Sequence, residues 1–125
     1  MGSGPTVQVR RVYDERDGDG ARVLVDRIWP RGMTKEKADL DEWCKQIAPS
    51  NELRKWYSHV PERFPEFTRR YEAELTDPVR AEALAHLREL ASTRTLVLLT
   101  ASKAVDISEA AVLAEVLISV RHDRR

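Results

Sequence analysis

Arg22-Val23-Leu24-Val25-Asp26-Arg27-Ile28-Trp29-Pro30-Arg31-Gly32 is the stretch that decides the fold class. Val23-Leu24-Val25 is an unbroken apolar run, as expected of a strand covered on both faces, and residues 22–28 read as that strand. Pro30 lacks a backbone donor, and with Gly32 it ends the ladder. Residues 95–100, Thr-Leu-Val-Leu-Leu-Thr, form a second continuous run and a second central strand. Helical patterns fill the chain between the two runs. Two doubly covered strands joined through helices imply a parallel pair, with the crossover expected to be right-handed. Upstream, residues 6–13 are rich in β-branched and aromatic types and read as an edge strand. Asp17-Gly18 and Asp19-Gly20 then suit a tight turn, so this strand is expected to pair antiparallel with 22–28 as a hairpin. The expected fold is α/β: a single small domain over residues 6–121, with a short, mostly parallel sheet, an N-terminal hairpin and a cover of helices. Residues 1–5 read as a disordered leader of the kind cloning leaves behind, and 122–125 as a frayed basic tail.

The helices carry their own punctuation. Thr34 before Lys35-Glu36-Lys37 suits the cap of a short helix. Ser50 caps another, with Glu52 in its first turn and Leu53, Trp56 and Tyr57 on one face. Phe64, Phe67, Tyr71 and Leu75 make a stripe at helical spacing. Asp77-Pro78 places a capping acid before a proline at the first helical position. Asp106-Ile107-Ser108-Glu109 has capping-box spacing ahead of a helix with Ala110, Leu113, Leu117 and Val120 on one side. In 38–48, Leu40, Trp43, Cys44 and Ile47 recur at helical spacing, though the segment is short.

Composition narrows the function classes. The 125 residues suit one domain. Charged residues make up 34% of them, balanced at 21 basic and 21 acidic. Zero net charge supplies no long-range pull toward nucleic acid or an anionic membrane. A lone Cys44 rules out an internal disulfide and fits a reducing, cytoplasmic setting. No apolar run spans a bilayer, and residues 1–5 have no signal-peptide core. His59, His86 and His122 are scattered and share no ligand spacing with Cys44, so no metal is expected. The chain has no phosphate loop, serine elbow or dinucleotide fingerprint, and no cofactor is expected.

In open α/β sheets, ligands bind beyond the carboxyl ends of the strands. Here those ends are Asp26–Gly32 and Thr100-Ala101-Ser102-Lys103, which lie together if the strands are parallel neighbours. Arg27 and Arg31 are fixed-charge forks suited to phosphate or carboxylate. Gly32 lets backbone approach a ligand. Ser102, Lys103 and the amides opening the last helix add donors, and Trp29 offers a stacking plane. Arg54 and Tyr57, from the basic-aromatic cluster Arg54-Lys55-Trp56-Tyr57, can close over the same site. Asp26 is the candidate catalytic residue. It can orient an arginine, accept from a ligand hydroxyl or act as a base, and neighbouring arginines favour the orienting role. The plainer alternative is that Asp26 and Arg27 make structural pairs while Trp29 and Pro30 lid the core.

Val23–Gly32 also resembles the signature of the YeaO-like family of uncharacterised bacterial proteins. The resemblance continues through Trp43 with Ala48-Pro49-Ser50, Leu53–Tyr57, Phe67 with Arg70-Tyr71, Glu74-Leu75, and Leu98-Leu99 with Ala111–Glu115. It covers about residues 7 to 118 and implies no known function. Many family members carry His-Asn-His where this chain has Ile107-Ser108-Glu109. The resemblance therefore implies that chemistry using those histidines is lost here, or is carried by Ser108 and Glu109, and the capping reading of Glu109 is preferred.

Two function classes follow. The first is a pocket for an anionic small molecule, phosphorylated or nucleotide-like, formed by Asp26, Arg27, Trp29, Arg31, Arg54, Tyr57 and Lys103. The second is a non-catalytic regulatory or protein-interaction module that presents Trp29, Trp43 and Trp56 with their arginines as one face. Nucleic-acid binding through the basic-aromatic clusters is a weaker third reading.

Overall fold

The last strand of the chain sits in the middle of the sheet. The computed structural model describes residues 6–16 and 18–119, so the readings of residues 1–5 as leader and 122–125 as tail lie outside the described residues. The strands are β1 (Val7–Arg11), β2 (Ala21–Leu24), β3 (Glu42–Trp43) and β4 (Leu96–Thr100). They form one sheet in the order β1-β4-β2-β3, and every pairing is parallel. The helices are α1 (Lys35–Ala38), α2 (Asn51–Tyr57), α3 (Phe64–Glu74), α4 (Pro78–Thr93) and α5 (Glu109–Ser119). Among the described residues, no helix is long and apolar enough to cross a membrane.

The fold is the expected α/β class with a parallel sheet, but the hairpin is absent. β1 and β2 lie on opposite sides of β4, with Val7 and Ala21 both opposite Leu96. The unbroken run of β4 explains this arrangement. A strand apolar on both faces is most stable with neighbours on both edges, and β1 and β2 supply them. Residues 12–20 are therefore a crossover. Arg16 pins it to the α1 side: its guanidinium donates to Asp39 Oδ2 at 2.8 Å, Asp41 Oδ2 at 3.3 Å and Gly20 O at 3.1 Å. Gly20 is needed for a close approach. A Cβ there would meet Val97 Cγ2 at 2.7 Å and Thr95 O at 3.2 Å. Because a short β-branched side chain and a backbone carbonyl cannot move aside cheaply, Gly20→Ala is expected to lower stability by about 1–3 kcal/mol, measurable by urea unfolding.

Strand alternation sorts the core into two unequal halves. Ala21, Val23, Val25, Leu96 and Leu98 face the cluster built by α2, α3, α4 and α5. Leu24, Val97 and Leu99 face a thinner cover of Val12 and Ala38, with Trp29, Met33, Leu40 and Trp43 packed around it. Arg22 also lies on this side, only 2% exposed. Its guanidinium donates to Asp39 O at 2.9 Å and Ala38 O at 2.7 Å, closing the end of α1.

Three caps are as expected. Thr34 Oγ1 accepts from Lys37 N, Ser50 Oγ accepts from Leu53 N, and Asp77 accepts from Arg80 N. Two local expectations are corrected. Residues 38–48 form no helix beyond α1: Glu42-Trp43 is an edge strand on β2, followed by a 3-10 turn at Lys45–Ile47. The cap of α5 is Ser108, whose Oγ accepts from Ala111 N, while Asp106 lies in a preceding 3-10 turn. Glu109 is thus the first residue of α5 and not the closing member of a capping box.

Candidate functional site

The carboxyl ends of β2 and β4 open into a pocket of about 530 Å³, within the range of about 300–1,000 Å³ typical of small-molecule sites. One wall is Asp26–Arg31 after β2, and another is Thr100–Ser102 after β4. Ala48 and Pro49 precede α2, whose Arg54 and Lys55 line the rim with Ser58 and His59. Phe67 of α3 and Glu109 of α5 complete the lining.

Asp26 ties the two strand ends together. Its Oδ2 accepts from Ala101 N at 2.8 Å, and its carbonyl accepts from Trp43 Nε1 at 2.8 Å. Oδ1 is buried without a hydrogen-bond partner, and the carboxyl of Glu109 lies within hydrogen-bonding reach of the Asp26 carboxyl. Two carboxyl groups bond to one another only when one carries a proton. Burial is the main force pushing Glu109 well above the usual carboxylate range, and Asp26 adds to it. Arg54 pulls the other way and loses. Glu109 is still partly accessible, and both acids line the pocket.

Basic groups line the same pocket. Arg27 Nη2 donates to Pro49 O at 3.0 Å, which holds the side chain across the wall, and Arg27 Nε is buried without a partner. Arg31 and Arg54 are exposed, Arg54 bonding weakly to Asn51 Oδ1 at 3.3 Å. Lys55 adds a further cation. Ser58 and His59 end α2 with φ of 48° and 60°, a left-handed conformation costly for side-chain-bearing residues. That bend turns the chain along the rim. Ile28, 60% exposed, gives the lip an apolar surface.

Of the candidates drawn from the sequence, Asp26, Arg27, Trp29, Arg31, Arg54 and Ser102 line this pocket. The other three lie elsewhere. Tyr57 is buried beneath it, its ring stacked on Phe67 at 4.3 Å and its hydroxyl donating to Ile107 O at 2.6 Å. It supports the start of α5 from below. Gly32 is exposed in a turn with φ of 74°, which accounts for a glycine there without any ligand. Lys103 sits on the rim of a separate hollow lined by Val9, Phe64 and Val112. The Ser102 amide is turned inward to Thr100 Oγ1 at 3.2 Å.

Trp29 serves the core and the pocket together. Its Nε1 donates to Met33 O at 2.7 Å, and its ring meets Trp43 edge to face at 5.3 Å. Trp56 packs on the other core, with the guanidinium of Arg70 4.5 Å from its ring. The tryptophans therefore divide between the two sides of the sheet. Cys44 is buried, and its thiol is pushed up to about 11 by that burial, so it is not a reactive nucleophile.

Glu109 enters the sequence reading only through the family resemblance, and there its capping role is preferred over a place in the site. An acid just after a cap reads as ordinary first-turn electrostatics. The signal that singles it out is topological: α5 starts where β4 ends its loop, so its first side chain enters the space between the strand ends.

Comparison with known proteins adds kinship without a function. The family model described as the inactive DUF488-N3 subclade matches residues 6–125. The uncharacterised proteins Rv3073c of Mycobacterium tuberculosis and Mb3100c of Mycobacterium bovis are each 52% identical over 112 residues, covering 89% of this chain and 92% of theirs. The uncharacterised protein YeaO of Escherichia coli is 40% identical over 115 residues, covering 91% of this chain and 98% of its own. No solved structure matches.

Proposed function

The chain belongs to the YeaO-like DUF488 family, within the subclade described as inactive, and from that premise we propose that it binds an anionic small molecule, phosphorylated or nucleotide-like, without turning it over. The observation that carries this reading is the convergence of Arg27, Arg31, Arg54 and Lys55 on one pocket at the carboxyl ends of parallel strands. Guanidinium forks recognise phosphate and carboxylate oxygens two at a time. Arg27 is held in place by Pro49 O with a donor to spare, so part of the ordering cost of binding is met before the ligand arrives. The family's description supports binding without turnover, and so does Asp26, whose Oδ2 is committed to a backbone amide.

The test is thermal unfolding with phosphate, sulfate, nucleotides and sugar phosphates. Arg31→Ala/Arg54→Ala is the right variant because both side chains are exposed, so the fold survives their removal. A ligand at a hundred times its Kd is expected to raise the wild-type midpoint by about 10 °C, and the double variant is expected to lose most of that rise. A folded wild type that responds to no anion, or a double variant that responds as the wild type does, overturns the reading.

A further inference from the structure

The pocket is polarised, and the polarity narrows its occupant. Its cations Arg31, Arg54 and Lys55 are exposed, while the acids Asp26 and Glu109 are only partly accessible. A bare inorganic anion suits the rim alone. It would leave most of about 530 Å³ empty and gain nothing from Glu109. A ligand that fills the space carries its negative charge at one end and a hydrogen-bonding group at the other. That inner group is a hydroxyl or an ammonium, and the acid pair distinguishes them. An ammonium needs a full negative charge facing it. Here Asp26 Oδ1 is buried with no hydrogen-bond partner, and Glu109 is pushed to keep its proton by burial first and by Asp26 second. With that proton directed at Asp26, Glu109 presents a neutral acceptor to the pocket, which suits a hydroxyl. Ile28 and Trp29, on the wall between the two ends, offer apolar contact to the carbon skeleton.

We propose that the occupant is a phosphorylated sugar, its phosphate at the arginine rim and a hydroxyl donating to the carboxyl of Glu109, which Asp26 holds from behind. The proposal rests on the anion reading above and goes beyond it in naming the inner group. Asp26 is a positioning residue in this arrangement, and Glu109 is the residue that touches the ligand.

The experiment is calorimetric titration of ribose 5-phosphate, inorganic phosphate and O-phosphoethanolamine into wild type, Glu109→Gln and Glu109→Leu. Glutamine reproduces the protonated acid: its amide NH₂ donates to Asp26 Oδ1 and its carbonyl faces the pocket. Ribose 5-phosphate is expected to bind wild type about tenfold more tightly than inorganic phosphate. Glu109→Gln keeps that advantage, and Glu109→Leu loses it while its phosphate affinity is unchanged. O-phosphoethanolamine is expected to bind no better than phosphate. Phosphate binding with no gain from the sugar overturns this proposal and leaves the anion reading standing. A preference for O-phosphoethanolamine that disappears in Glu109→Gln overturns it in favour of an ammonium. A folded wild type that binds none of the probes overturns both.

Discussion

Arg22→Ala is expected to cost about 3–5 kcal/mol, a large share of the stability of a domain this size. Arg22 lies inside the apolar run of β2, with its side chain on the thin side of the sheet. Its guanidinium satisfies the carbonyls of Ala38 and Asp39, where α1 ends in a left-handed residue. Alanine would leave the Ala38 carbonyl unpaired and Asp39 O with only the longer bond from Arg16 at 3.2 Å, and would empty the space of a buried side chain. Each loss is costly alone, and hydrogen bonds to a charged donor are the stronger kind. Burial lowers the pKa of Arg22, so part of the interaction energy already goes into desolvating the charge. Arg22→Met is therefore expected to recover about half of the loss, because it keeps the stem and removes the buried charge. Urea unfolding of the three proteins measures both effects. A loss under about 1 kcal/mol in Arg22→Ala would mean that α1 is not needed to seal that face.

Glu109→Gln is expected to stabilise the protein increasingly as pH rises. In the folded chain Glu109 holds its proton well above the ordinary value of 4.5, through burial first and Asp26 second. Between 4.5 and that raised value the folded state keeps a proton that the unfolded state has released. The contribution of Glu109 is thus fully present below the unfolded value and is lost as pH climbs through the folded one. The slope is at most about 1.4 kcal/mol per pH unit for one proton. The groups around it are Asp26 from the end of β2, Arg54, Lys55 and His59 from the α2 side, and Arg27 from the wall. Asp39, Asp41 and Asp77 are held below their ordinary values by arginine or backbone donors. Their stabilisation has the opposite sign and fades only at acid pH. Comparing wild type with Glu109→Gln cancels those groups. The difference in midpoint is expected to be small near about pH 5 and to grow in favour of the variant toward about pH 8. A flat difference would show that the acid pair shares no proton.

How much of this was legible depended on whether a residue's neighbours were near it in sequence. The β4 run announces a doubly covered strand through its own composition, and Ser50 and Asp77 announce helix starts through residues three positions away. β3 was not legible because two residues, Glu42 and Trp43, carry no period. The Asp-Gly pairs before β2 carry the chemistry of a tight turn, yet the competition of β1 and β2 for the edges of β4 decided their pairing. For the site, the two strand-end loops were readable, and they do line one pocket. Lys103 and Tyr57 were misplaced by a residue or a helical turn, which is enough to face a different hollow or the core. Glu109 was legible as a residue of interest but not as a neighbour of Asp26, which lies 83 positions earlier in the chain and is adjacent only after folding.

The central place of β4 also sets the order in which the protein can be made. β1 and β2 share no ladder; β1 pairs with β4, and β2 pairs with β4 and with the two-residue β3. A growing chain therefore carries β1 without its strand partner, and β2 paired at most to β3, until residues 96–100 are made. Contacts this distant close slowly. The same event brings Asp26 to the Ala101 amide, so the four-stranded sheet and the pocket close together once residues 96–101 are available.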